Sequence, residues 1–193
     1  MPNVKKTRVS KDQWLGKGLE ILSAYGAESL RVEKLATSLG VAKSGFYWHF
    51  RDREEFLTQL LDYWAHEYTQ VISDNSMLTK LPPRHRLLEV MMLVFEKNLT
   101  EHDDAMQLWV KTNARTARKY KKVVGMRLDF VRKAFEELGF TGDELEMRTR
   151  VFVGFQSNER GIFGANKASS RRYRQLRLDM LVGGKPDKGP KER

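Results

Sequence analysis

Proline all but disappears from the interior of this 193-residue chain; Pro82-Pro83 is the only pair between Pro2 and Pro186. Apolar residues recur three and four positions apart almost everywhere, and strand-like alternation is missing. That spacing lines one face of a helix, so an all-α fold is expected. Ser10 with Gln13 has the form of a capping box opening a first helix, whose stripe of Trp14, Leu15, Leu19 and Leu22 runs to a stop at Gly26. Val32, Leu35, Ala36 and Leu39 fall at i, i+3, i+4 and i+7, a second helix closed by Gly40. A short third helix is expected from about Lys43 to Phe50, with Phe46 and Phe50 four apart on its buried side. Asp52 and Glu55 predict another capping box, for a fourth helix reaching about Asn75. Pro82-Pro83 suits the first turn of a fifth. Further helices are expected around Asp104–Lys111, up to Leu138-Gly139, over Asp143–Phe163 and over Ser170–Val182, with a disordered basic tail behind them.

The formal net charge is +10, with no cysteine and four scattered histidines. Disulfides, thiolate zinc sites and iron–sulfur clusters are therefore excluded, and no histidine pair has metal-ligand spacing. No apolar run is long enough for a membrane span, and the basic start lacks the apolar stretch of a secretory signal, so a cytoplasmic protein is expected. The positive field favours polyanions, and its distribution sharpens that reading. Residues 1–53 carry ten Lys/Arg against five Asp/Glu. Lys5, Lys6, Arg8 and Lys11 are either a solvated tail or an arm on DNA. The basic run Arg115, Arg118, Lys119, Lys121 and Lys122 is open between a solvated face, an entrance for an anionic ligand and a DNA contact.

Residues 31–50 have the length and punctuation of a helix-turn-helix: a helix, a glycine turn, then a short helix with a polar outer face. With Phe46 and Phe50 turned inward, Lys43, Ser44, Tyr47, Trp48 and His49 face out. Lys43 can donate to a base edge or a phosphate, Tyr47 and His49 to phosphate oxygens, and Ser44 and Gly45 let the backbone approach the groove. Glu33 is out of place beside DNA unless it points away or accepts from a cytosine amino group.

The run from Gly26 through Phe46-Tyr47-Trp48-His49-Phe50 to Leu57 resembles the N-terminal domain of TetR-type transcriptional regulators, over about residues 8–60. The resemblance implies a three-helix DNA-binding domain (1–53), joined by the long fourth helix to a helical ligand-binding and dimerisation domain (54–183), with a tail at 184–193 and about nine helices in all. It implies that Lys43 and Ser44 face bases and that Tyr47, His49 and Arg53 hold phosphates, with Arg31 and Lys34 touching the backbone or groove edge. Two positions depart from the family pattern, which has Thr or Ser at Arg31 and often at Ala42. Each departure removes an N-cap worth about 1 kcal/mol, for which Ser29 and the Ser44 hydroxyl are expected to compensate in part.

Trp64, Met91, Phe95, Met106, Trp109 and Phe130 suit either a ligand cavity or ordinary core, since Met and aromatic side chains adapt to apolar guests. The last two helices, with Phe152, Phe155, Ile162, Tyr173, Leu176 and Met180, are expected to meet their symmetry mates in a four-helix dimer interface, with Gly154 and Gly161 allowing close approach. A two-fold dimer presents two recognition helices to a palindromic operator. The leading expectation is a homodimeric repressor released by an unidentified small-molecule effector, with the fourth helix as lever. The alternative is a DNA-binding protein controlled by protein partners and lacking a pocket. No Ser/His/Asp order, phosphate loop or metal spacing points to an enzyme, and no cofactor is expected.

Overall fold

The computed structural model describes residues 9–112, 114–164 and 167–183. Nine principal helices, with short helical turns between some of them, dominate the described residues, among which there is no strand. The first three are α1 (Lys11–Tyr25), α2 (Val32–Ser38) and α3 (Ser44–Tyr47). The fourth, α4 (Arg53–Ala65), runs on without a break through a π turn (His66–Gln70) and a last short segment (Val71–Ser73). One turn at Ser76–Thr79 precedes α5 (Pro83–Glu96), which Pro83 enters at the first position as expected. The remainder are α6 (Asp103–Val110), α7 (Ala114–Glu137), α8 (Gly142–Phe163) and α9 (Lys167–Val182). No helix among the described residues is long and apolar enough to cross a membrane. The basic tail expected at 184–193 lies outside the described residues.

Local signals account for the helix ends near the N-terminus. The Ser10 hydroxyl accepts from the Gln13 N–H at 3.2 Å while the Gln13 side chain accepts from the Ser10 N–H at 2.8 Å, so the capping box forms. At α4 only half of the expected box forms. Asp52 accepts from the Glu55 N–H at 2.8 Å, but the Glu55 carboxylate reaches past the cap to the Arg51 N–H at 2.7 Å. The hydrogen bond from the Glu55 N–H holds the Asp52 carboxyl below its ordinary range, with the Arg51 guanidinium adding to it. Gly40 sits at φ 67°, a conformation open to glycine at little steric cost, and turns the chain from α2 into α3.

Two apolar cores hold the helices. The first gathers Trp14, Leu19, Leu22, Leu35, Phe46, Phe50, Phe56 and Trp64, and extends to Met106, Trp109 and Val123 on α6 and α7. Phe46 is its hub, with Trp14, Phe50 and Phe56 rings at 5.6, 4.9 and 5.5 Å. Gly18 permits this: a methyl there would stand 2.7 Å from the Phe56 ring, so α1 and α4 cross at a separation only hydrogen allows. The second core joins α5, α7, α8 and α9 through Met91, Phe135, Phe140, Leu145, Phe152 and Leu178.

Candidate functional site

The segment linking α2, Gly40 and α3 presents one outward surface. Lys43, Ser44, Tyr47 and Trp48 are all exposed, Trp48 by 71 %, while Phe46 and Phe50 beneath them are buried. The α-helix of α3 is a single turn, shorter than the expected Lys43–Phe50, because its flanks are held by three-residue turns: Gly45 N–H to Ala42 and His49 N–H to Phe46. Lys43, not Ala42, is the residue before the first turn, and the Ser44 hydroxyl makes no cap. Arg31 precedes α2 without a side-chain cap, and its Nε–H donates to the Glu28 carbonyl at 3.3 Å. Ser29 does not compensate, since its hydroxyl donates to the Tyr25 carbonyl.

Several expected phosphate contacts already have partners within the chain. The His49 ring Nε2 lies 2.9 Å from the Val9 carbonyl, pinning the segment ahead of α1 to the end of α3. Arg53 donates through Nε to the Leu30 carbonyl at 2.7 Å, tying α4 to the loop before α2. Lys34 stacks its ammonium on the Tyr25 ring at 3.4 Å. Lys43 is ion-paired to Glu33 at 2.7 Å, and this hydrogen bond holds the Glu33 carboxyl below the usual carboxylate range. Glu33 therefore turns toward this outward surface. Of the arm, Lys11 is described and exposed, whereas Lys5, Lys6 and Arg8 lie outside the described residues. In the basic run Lys119 pairs with Asp62 of α4, while Arg118, Lys121 and Lys122 are exposed; the Arg115 side chain lies outside the described residues.

A second feature lies between the π turn, α5, α7 and α8: an apolar cavity of about 50 Å³. Tyr68, Thr69 and Ile72 form one wall, with Val90, Val94, Met126, Phe130, Phe152 and Gln156 among the others. Of the six residues expected around a ligand only Phe130 lines it. Trp64, Met106 and Trp109 pack in the first core and Met91 in the second, while Phe95 borders a separate small pocket beside Asn98 and Arg160. Trp64 stacks on Tyr120 at 5.6 Å instead.

Buried polar groups clamp this wall to the first core. Asp103, only 1 % exposed in its side chain, receives both terminal nitrogens of Arg127; the same guanidinium donates to Thr69 Oγ1 at 2.9 Å and to the Tyr68 carbonyl at 3.3 Å. His102 bridges the other way: Nδ1 lies 2.7 Å from Ser23 Oγ on α1, and Nε2 lies 3.2 Å from the Tyr68 hydroxyl. Burial pushes the His102 imidazole below its ordinary pKa and the Tyr68 phenol up to about 12. A hydrogen-bonded path thus runs from the first helix through His102 to the cavity wall. Nothing in the sequence pairs Ser23 with His102, which are far apart along the chain.

The last two helices carry an exposed apolar face. Met147, Val151, Ile162, Phe163, Tyr173, Leu176 and Met180 are all exposed, Met180 by 74 %. Phe155 is half-buried, stacked on Phe163 at 6.0 Å with the Arg177 guanidinium over it. Phe152 belongs to the opposite stripe with Leu145, Thr149 and Gln156 and is buried in the second core; Val151 takes the outward position. Gly161, though exposed, faces α6 and not a symmetry mate: a methyl there would meet the Asp104 carboxylate at 2.6 Å.

Residues 15–60 match the family model described as bacterial regulatory proteins, tetR family. The chain is 37 % identical over 54 residues to the tetracycline repressor protein class G of Vibrio anguillarum, covering 28 % of this chain and 26 % of that protein. It is 27 % identical over 108 residues to the class E protein of Escherichia coli, covering 55 % and 48 %. The chain thus spans half or less of the length of these curated relatives. Among solved structures, a transcriptional regulator from Rhodococcus sp. Rha1 superimposes with TM-score 0.70 at 15 % identity, covering 92 % of this chain and 96 % of that one. The transcriptional regulator FadR from Bacillus subtilis, solved in complex with stearoyl-CoA, gives 0.67 at 18 % identity, covering 91 % and 99 %. These two likenesses show the fold.

Proposed function

We propose that this chain, whose N-terminal part is the DNA-binding domain of the tetR family of bacterial regulatory proteins, is a homodimeric repressor that a small molecule releases from a palindromic operator. The observation that carries the reading is the outward surface of Lys43, Ser44, Tyr47 and Trp48 over the buried Phe46 and Phe50. Small and polar groups on a short helix braced by a second helix are what entry into a major groove requires. Lys43 and Ser44 meet base edges, and Tyr47 holds a phosphate, with Arg31, Lys34 and the remaining donors of His49 and Arg53 along the backbone.

In this reading residues 1–53 bind DNA and 54–183 bind effector and partner. The exposed stripe on α8 and α9 packs against its symmetry mate, setting the spacing of the two recognition helices. The cavity beside the π turn holds the effector; that a protein of this fold takes a small molecule at all has a parallel in FadR, solved in complex with stearoyl-CoA. Ser23, His102 and Tyr68 carry its effect to α1. A coupling of about 1–3 kcal/mol between the two sites is enough for regulation. The protein acts in the cytoplasm by binding alone, without catalysis. Because the cavity exists, this reading is preferred over control by protein partners with a filled core.

The test begins with duplexes selected from a random pool by the full chain, followed by affinities of wild type, Lys43→Ala and Tyr47→Ala against salt. Loss of a charged phosphate contact reduces the salt slope by about 1, whereas loss of a base contact relaxes sequence preference. Unchanged binding in both variants sinks the proposal.

A further inference from the structure

Gln156 lines the cavity and is 7 % exposed, yet its amide nitrogen has no hydrogen-bond partner. A buried N–H without an acceptor is a standing cost to the fold, which an incoming acceptor removes. The other unpartnered buried side-chain atoms among the described residues, Trp14 Nε1, Trp64 Nε1, Thr149 Oγ1 and Arg177 Nε, do not line this cavity.

The rest of the wall limits what can enter. Ile72, Val90, Val94, Leu99 and Phe130 make it apolar. Its one cation, Arg127, is neutralised by the buried carboxylate of Asp103. The cavity thus offers mostly apolar surface, a buried amide donor without a partner and no net charge. At about 50 Å³ it holds little more than water, so a larger guest displaces side chains. Met126, unbranched and only half-buried, is the lining residue best suited to yield.

We infer that the cavity takes a compact, uncharged, mostly apolar molecule bearing one hydrogen-bond acceptor, such as a ketone, ester or amide carbonyl, received by the Gln156 amide. The inference rests on the ligand-responsive reading above and names the class of effector. A hydrocarbon fills the space but leaves the donor unpaired. An anion competes with Asp103 for Arg127 and strands a carboxylate in the interior.

Acetophenone, ethylbenzene and benzoate share a ring and differ in carrying a carbonyl, a methylene or a carboxylate. Each is titrated into the full chain without DNA, following the melting temperature and the Gln156 side-chain amide signals in nitrogen–proton spectra. Acetophenone is expected to bind about fivefold more tightly than ethylbenzene, one neutral hydrogen bond's worth, with benzoate weakest. Gln156→Leu is expected to erase the preference between the neutral probes and keep hydrocarbon affinity. Should that variant not fold, the wild-type amide signals decide: the ketone shifts an amide proton downfield, as a hydrogen bond does, beyond the ring-current shift that ethylbenzene also produces. The inference is overturned if the neutral probes bind alike, if benzoate binds tightest, or if no probe moves the Gln156 signals. A probe that seats on Gln156 yet leaves DNA affinity unchanged overturns the repressor reading and leaves the site standing.

Discussion

The Lys43 ammonium donates to the Glu33 carboxylate at 2.7 Å across the turn between α2 and α3. Both side chains are more than half exposed, so the pair adds little to stability. Its effect falls on recognition, because DNA approaching Lys43 also approaches a carboxylate. Glu33→Gln is expected to tighten DNA binding about three- to tenfold at low salt, with the gain shrinking as salt rises. Fluorescence anisotropy of the selected duplex measures this. Weaker binding would show instead that Glu33 accepts from a base.

Gly18→Ala tests the close crossing of α1 and α4. Its methyl meets the Phe56 ring at 2.7 Å and Leu60 at 3.1 Å, so rings that support Phe46 must shift. A loss of about 1–3 kcal/mol is expected from urea unfolding. A variant as stable as wild type would mean the two helices separate freely.

Acid should weaken the fold through His102. Burial lowers its folded pKa, outweighing the opposing pull of Glu101, Asp103 and Glu20. The unfolded chain then binds more protons, so stability is complete above about pH 6.5 and falls as pH drops from there toward the folded value. His102→Gln is expected to flatten that window in denaturant titrations run across pH. Identical pH profiles for wild type and variant would remove His102 from this role.

The last two helices give opposite outcomes according to the face that is altered. Met180→Asp, on the exposed stripe, is expected to leave folding intact and to shift sedimentation from dimer to monomer, weakening binding to a two-half-site duplex. Phe152→Ala, on the buried stripe, is expected to cost about 3–5 kcal/mol of stability. A Met180→Asp protein that sediments unchanged would place the dimer elsewhere.

The features legible in the sequence are those decided by near neighbours. The Ser10–Gln13 cap, the stop at Gly26, the Gly40 turn and the inward pair Phe46 and Phe50 all follow from spacings of a few residues. What required the fold depends on distant partners. Apolarity marked Trp64, Met106 and Trp109 as interior, but only the packing of α6 and α7 on α4 decides that they join the first core and not the wall of the cavity beside the π turn. Phe152 and Val151 are adjacent, and a one-residue change of helical phase decides which faces outward. Arg127 meets Asp103, and Ser23 meets His102, across separations that no periodicity encodes. Gln156 carries no sequence signal at all, because what distinguishes it is a partner it lacks.

The π turn at His66–Gln70 holds a residue more than regular winding would place there. Were that surplus removed, everything beyond it would rotate about the helix axis by about 100° relative to Arg53. Tyr68, Thr69 and Ile72 could not all keep facing the cavity after such a rotation. The angular phase of the helix that begins at the DNA surface and the shape of the space beside Gln156 are therefore a single geometric variable, set by one amino acid's worth of slack.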